Sequence, residues 1–232
     1  MNQPAAEQVV PATPRIPMLR TLGLVAALSG LLVVLAHHLT MPLIEENRRI
    51  AIERALFKVI PGAVSRRNFQ LTADGIEPLG ETLPAQGMHL YAGYNAEGGL
   101  AGVALEAAAQ GYQDVIRVLF SYDPDCECIR GMEVLKMAET PGIGDKIAKD
   151  PVFLQNFEAL DARLDDAGGG LANAIVNVKA GTKSEPWQID AISGATISCK
   201  AVARMLNDTA QQALPVIVRN LDVLQQPGGA AP

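Results

Sequence analysis

Residues 115–137, "VIRVLFSYDPDCECIRGMEVLKM", decide the fold. Two runs rich in branched and aromatic residues, "VIRVLFSY" and "IRGMEVLKM", enclose the insert "DPDCEC". Such runs suit a pleated, half-buried surface, whereas Pro124 and its flanking aspartates favour a turn, so the stretch reads as a β-hairpin. Upstream, "MHLYAGY" and "GLAGVALEA" repeat the pattern across the Gly98-Gly99 turn. Downstream, "DPVFLQNFEAL" reads as a short helix opened by Asp150-Pro151, Gly168-Gly169-Gly170 as a loop and "NAIVNV" as another strand. A helix begins near Thr196 and runs to at least Leu214, where Pro215 should kink or end it. Several antiparallel strands with flanking helices make an α+β domain. Residues 64–86 are polar and turn-rich and read as a connection with a weak strand, and the tail "QQPGGAAP" as disordered.

Composition narrows the function classes. The chain has 232 residues, of which 49% are hydrophobic and 19% charged, and a net charge of -6. That is enough apolar material for one ordinary core. Without a lysine or arginine run there is no phosphate-tracking groove, so nucleic acid is not an expected partner. Three cysteines are too few for a disulfide scaffold, and "CEC" lacks the C-x-x-C spacing of a structural zinc site. No metal site is expected. The "CEC" turn reads as a solvent-side hairpin tip with free or locally paired thiols, with a redox or metal role as the rival, and Cys199 as a small core residue rather than a redox partner.

Between Arg20 and Glu45 lie 24 residues, "TLGLVAALSGLLVVLAHHLTMPLI", without a formally charged side chain. About 20 apolar residues cross a bilayer core, so the segment reads as a transmembrane helix, with His37 and His38 at its far interface. The rival, a cleaved signal peptide, lacks an obvious small-x-small cleavage site. Arg15 and Arg20 precede the span, while Arg48, Arg49, Arg54 and Lys58 follow it, so charge counting leaves the orientation open. Beyond it, Ile50, Ala51, Ala55, Leu56, Val59 and Ile60 recur at near-helical spacing until Pro61-Gly62. The expected organisation is an amino-terminal tail (1–16), a transmembrane helix (17–44), a juxtamembrane helix and linker (45–75), a folded domain (76–214) and a carboxyl-terminal tail (215–232).

The chemistry concentrates in "DAISGATISCKAV", residues 190–202. Asp190 or Ser193 ahead of Ala201, Val202, Met205 and Leu206 is an ordinary helix-start signal, with Gly194 allowing unusual backbone angles. The same start presents unpaired N–H groups, and Ala195 keeps the approach clear, so an anion could sit at Thr196.

Asp190-x-x-Ser193-Gly194-Ala195-Thr196 resembles the D-x-x-S/T-G-A-T motif of FMN-binding proteins in the Rnf and sodium-translocating NADH:quinone reductase families. "ETPGIGDKI", Glu139 to Ile147, is similar to their E-T-P-G-L-G loop. Two motifs in the family's order, behind one membrane helix, point to the family of G subunits of Rnf-type electron transport complexes, related to the C subunit of the quinone reductase. The resemblance implies an FMN-binding domain with an antiparallel sheet, and FMN esterified through its phosphate to Thr196. It implies that Asp190, Ser193, Gly194, Ala195, Glu139, Thr140, Gly142, Ile143, Gly144 and Lys146 bind the cofactor, with Lys146 near the phosphate or ribityl chain. Met137 departs from the pattern, standing where the family commonly has a histidine. The glycine often found shortly after the Gly111-Tyr112 pair is also missing.

The implied role is electron transfer, with no catalytic acid or base. The implied partners are the other subunits of an ion-translocating membrane complex and a separate flavin transferase. The implied location is the bacterial inner membrane, as a single-pass protein whose carboxyl-terminal domain faces the periplasm. The alternatives are a membrane-anchored flavin reductase with its own small substrate, the quinone reductase's C subunit, and a non-enzymatic module in which "SGAT" only caps a helix. Trp187 is expected to fill the core, with stacking on the flavin as the rival role; His89 is expected to have no catalytic role.

Overall fold

The computed structural model describes residues 15–72, 75–80 and 87–226. The start of the expected amino-terminal tail, most of the expected "QQPGGAAP" tail and part of the 73–86 turns lie outside these residues. The chain divides into two compact units, Met1–Arg49 and Ile50–Pro232.

Helix α1, Arg15–Val59, contributes to both. Its apolar part has a mean hydropathy of 2.1 over an 18-residue window, none of it buried within the protein. It is long and apolar enough to cross a membrane. The helix passes residue 44 unbroken, with Pro42 inside it. "LIEENRR" is built from good helix formers and offers no glycine stop, so nothing in the sequence ends the helix there.

In the second unit seven strands form one antiparallel sheet in the order β2-β1-β3-β4-β5-β6-β7. They are β1 Ser65–Leu71, β2 Ile76–Leu79, β3 Met88–Tyr94, β4 Leu100–Gln110, β5 Val115–Asp123, β6 Cys128–Lys136 and β7 Leu160–Asp161. The hairpin at 115–137 is present as read, with Tyr122 opposite Ile129 and Asp123 opposite Cys128. Beyond it come α2 Pro151–Leu154, a parallel pair β8 Val176–Val178 and β9 Gln188–Asp190, α3 Thr196–Arg219 and α4 Leu221–Gln225.

Strand alternation separates two cores. Leu90, Ala92, Val103, Leu105, Val118 and Phe120 face one way and pack with α3 through Val202, Leu206, Ala210 and Leu214. Tyr91, Ala104 and Leu119 face the other way, onto Ile52, Ala55, Leu56 and Val59 at the end of α1. Each such large side chain taken out of water contributes about 1.5–3 kcal/mol, before the entropy of ordering it is counted. The end of α1 sits tightly on the sheet: a Cβ on Gly131 would come within 2.7 Å of the Val59 carbonyl oxygen. Ser121 Oγ donates to that same carbonyl.

Three expectations change. The polar stretch after residue 64 supplies two strands, the edge strand β2 and the interior β1 beside it, anchored by buried Ile76 and Phe69. Pro215 does not end α3, which continues to Arg219 with Pro215 and Ile217 buried. Packing of that last turn outweighs the one backbone hydrogen bond that proline forfeits. The expected tail from 215 is folded as far as Gln226: Tyr94 Oη donates to the Leu224 carbonyl at 2.7 Å, and Arg67 donates to that of Gln226 at 2.9 Å.

Candidate functional site

Glu139, only 6% exposed, joins the two sequence motifs. Its Oε1 accepts from the backbone N–H groups of Tyr112 (3.0 Å) and Gln113 (3.2 Å) in the β4–β5 loop. Its Oε2 accepts from Ser198 Oγ at 2.5 Å, in the first turn of α3. A buried carboxylate needs such donors, and here they come from segments 26 to 59 residues away. The approach is close enough to require glycine at two places. A Cβ on Gly111 would lie 2.5 Å from Oε1, and one on Gly144 would lie 2.7 Å from Oε2.

The loop after Glu139 supports itself. The Thr140 carbonyl accepts from Ile143 N (3.1 Å) and Gly144 N (3.0 Å), and Asp145 Oδ1 accepts from Gly142 N at 2.6 Å. The Lys149 ammonium, hydrogen-bonded to Asp145, holds that carboxyl below the usual carboxylate range. Gln113 Nε2 reaches Thr140 Oγ1 at 3.1 Å. The convergence leaves Tyr112 (65% exposed), Ile143 (50%) and Ile197 (51%) open on the segments that meet at Glu139.

Thr196 is the first residue of α3 and is exposed. Gly194, at φ +88, turns the chain into it. The N-cap residue is Ala195, which offers no side-chain bond, so the first amides of the helix remain available to an outside acceptor. Ser198 is buried and engaged with Glu139, whereas Ser193 and Thr196 present their hydroxyls at the surface. Cys199 is fully buried, accepts from Ile192 N at 3.4 Å, and burial pushes its thiol up. That matches the small core residue expected of it.

Asp190 does not cap the helix. It ends β9, and its carboxylate accepts from Gly181 N (2.8 and 2.9 Å) and Thr182 N (3.3 Å), pinning the turn before it. Ser193 does not cap it either. Buried Asn156 fastens Asp190 from behind, accepting from its N–H at 2.9 Å and donating to its carbonyl at 3.2 Å. Asn156 also accepts from Lys183 Nζ at 3.2 Å, and burial lowers that lysine's pKa. Trp187 is half-buried beside β9, outside the main core.

A groove of 540 Å³ lies along the start of α3, lined by Ile175 and Val176 opposite Ile197, Lys200 and Arg204, with Gln110 at the end of β4. Thr196, Lys200 and Arg204 recur every four residues and therefore share one helix face. Lys146 is not among the residues lining this groove, and is exposed on the turn at Gly144–Ala148. The residues that sequence reading did not assign to the site are Gln113, Asn156, Ser198, Lys200 and Arg204. Only the last two had a visible signal, their helical spacing from Thr196.

Among known proteins, residues 111–211 match the model of the FMN-binding domain family. The G subunit of the ion-translocating oxidoreductase complex of Methanosarcina acetivorans is 34% identical over 120 residues, covering 50% of this chain and 54% of that protein. The chain thus spans about half the length of that relative. Its counterpart in Vibrio atlanticus is 28% identical over 209 residues, covering 89% of this chain and 92% of the relative. The crystal structure of Shewanella oneidensis NqrC superposes with a TM-score of 0.58 at 18% identity, covering 76% of this chain and 97% of that one, which shows a shared fold. Residues 111–211 thus match the FMN-binding domain family, on a chain similar to the G subunits of ion-translocating oxidoreductase complexes.

Proposed function

We propose that the chain is the electron-transfer subunit of an Rnf-type ion-translocating membrane complex and carries FMN through a phosphoester on Thr196. The observation that carries this reading is the division of labour among the hydroxyls of the "SGATIS" turn. Ser198 is buried on Glu139, while Thr196 stands exposed at an uncapped helix start whose amides favour a phosphate. The surroundings fit the group. A tethered phosphodiester keeps one negative charge, and Lys200 and Arg204 follow on the same face. A groove of 540 Å³, within the range of small-molecule sites, begins at Ile197, next to Thr196, which is not itself in its lining.

FMN supplies the redox chemistry, accepting electrons in a pair and passing them singly. The chain's residues position it. Thr196 fixes the phosphate end, and Glu139 holds the loop of Gly142, Ile143 and Gly144 against α3. Tyr112, Ile143 and Ile197 offer apolar surface for a flat ring. No side chain here is asked to move a proton. Attachment calls for a separate flavin transferase, since no nucleotide-activating motif is present, and Asp190 belongs to the sequence that enzyme reads. The other partners are the remaining subunits of the complex.

The long apolar part of α1 is the anchor, in the bacterial inner membrane, with the carboxyl-terminal domain on the periplasmic side. A Cys126–Cys128 bridge on the domain's surface supports an oxidising compartment. To test the central claim, the full chain is expressed together with a flavin transferase and run on a denaturing gel. The wild type should fluoresce as a flavoprotein. Thr196→Val, which keeps the shape and deletes the hydroxyl, should reach the membrane at equal abundance and stay dark. A fluorescent Thr196→Val band refutes the assignment.

A further inference from the structure

The β5–β6 turn holds a feature that electron transfer through a flavin does not use. Cys126 and Cys128 are bridged, their Cα atoms 5.2 Å apart, on either side of Glu127. Cys126 is exposed and Cys128 is 5% exposed.

The bridge is not needed to shape the turn. Asp123 Oδ1 accepts from Asp125 N at 2.9 Å, and Arg130 pairs with Asp123 Oδ2 at 2.6 Å. Ala162 N donates to the Glu127 carbonyl at 3.1 Å, and β6 is paired on both sides, to β5 and to β7. A ring spanning three residues also removes little loop entropy from the unfolded chain, so it is a weak staple. It does hold Glu127 at φ +51, the only non-glycine positive φ among the described residues and a region that side chains disfavour. A bridge that stabilises little, constrains its middle residue and has one cysteine exposed has the attributes of a reducible pair.

We propose that Cys126–Cys128 is a thiol–disulfide exchange site that reacts with a dithiol oxidoreductase. One thiolate of the dithiol attacks Sγ of the exposed Cys126, forming a mixed disulfide, and Cys128 leaves as a thiolate that takes a proton from water. The second thiol of the dithiol then attacks its own sulfur in the mixed disulfide. That step releases Cys126 as a thiol and closes the disulfide in the reagent. Two electrons and two protons enter the turn, and the dithiol is oxidised. Asp125 and Glu127 flank the bridge with negative charge, Asp123 being paired with Arg130, so an anionic attacker is slowed. β5 separates this turn from the Glu139 loop by about 26 Å for its nine residues. Exchange is therefore independent of the flavin.

The test uses the full chain in detergent, equilibrated with glutathione in roughly tenfold excess of the reduced form, a mixture that leaves ordinary structural disulfides closed. After acid quenching and alkylation, most copies of tryptic peptide 118–130 should carry two labels. A bridge that stays closed overturns the proposal, as do two labels in air-oxidised protein never exposed to thiol. Cys126→Ser/Cys128→Ser should melt within about 3 °C of the wild type, and a larger drop identifies a structural staple instead. Added salt should speed reduction by glutathione, and an unchanged or falling rate refutes the charge assignment. Thr196→Val should exchange as the wild type does, which keeps this outcome separate from that of the flavin assignment.

Discussion

Two hydroxyls in one helical turn have opposite fates. Ser198 donates to Glu139 Oε2 inside the protein, while Thr196 stands outside. Removing the first leaves a buried carboxylate oxygen short of a donor, which costs about 1–3 kcal/mol. Ser198→Ala should therefore unfold at lower urea and still carry covalent flavin, provided a flavin transferase is present. Loss of the flavin with stability unchanged would reverse the roles given to the two residues. The helix start was legible from Asp190 or Ser193 ahead of the apolar run, although neither side chain caps the helix. That Asp190 spends its carboxylate on Gly181 and Thr182 was not. Both arrangements satisfy a short carboxylate near free amides, and only the chain path after β8 selects between them.

At the scale of elements, the hairpin at 115–137 and strands β3 and β4 were legible because buried side chains alternate along them. Edge strand β2 and its inner neighbour β1 were obscured by Arg66, Arg67, Asn68 and Glu77, polar residues at the half-buried and exposed positions of these strands. The continuation of α3 past Pro215 was equally hidden, since it depends on where Leu214 and Ile217 pack. The candidate site is a junction between elements. Its two motifs could be read from the sequence, whereas the Glu139 contacts that join them span 26 to 59 residues and could not. Gly144→Ala probes that junction. The new Cβ would meet Glu139 Oε2 at 2.7 Å and Ser198 Oγ at 3.0 Å, so the loop must shift, at a cost of about 1–3 kcal/mol. Thermal unfolding should fall by several degrees, and bound flavin should become more accessible to a soluble quencher. A variant as stable as the wild type, with unchanged quenching, would argue against tight docking of the loop on α3.

At the scale of the molecule, a helix able to span a membrane precedes a segment that matches the FMN-binding domain family. The charges flanking the apolar run leave orientation open, so topology needs a measurement. Alkaline phosphatase fused after Gln225 should be active, and a cytoplasmic reporter at the same position silent, if the domain is periplasmic. The reverse pattern would move the domain, and any electron partner it meets, to the other side.

The central claim is a covalent bond at one atom, and the mass of one peptide measures it most directly. Trypsin releases residues 184–200, which contain Ser184, Ser193, Thr196 and Ser198. From full-length protein matured with a flavin transferase, this peptide should be heavier by FMN less one water, with fragmentation placing the addition on Thr196. An unmodified peptide from such protein, or an addition located on Ser193 or Ser198, would contradict the account.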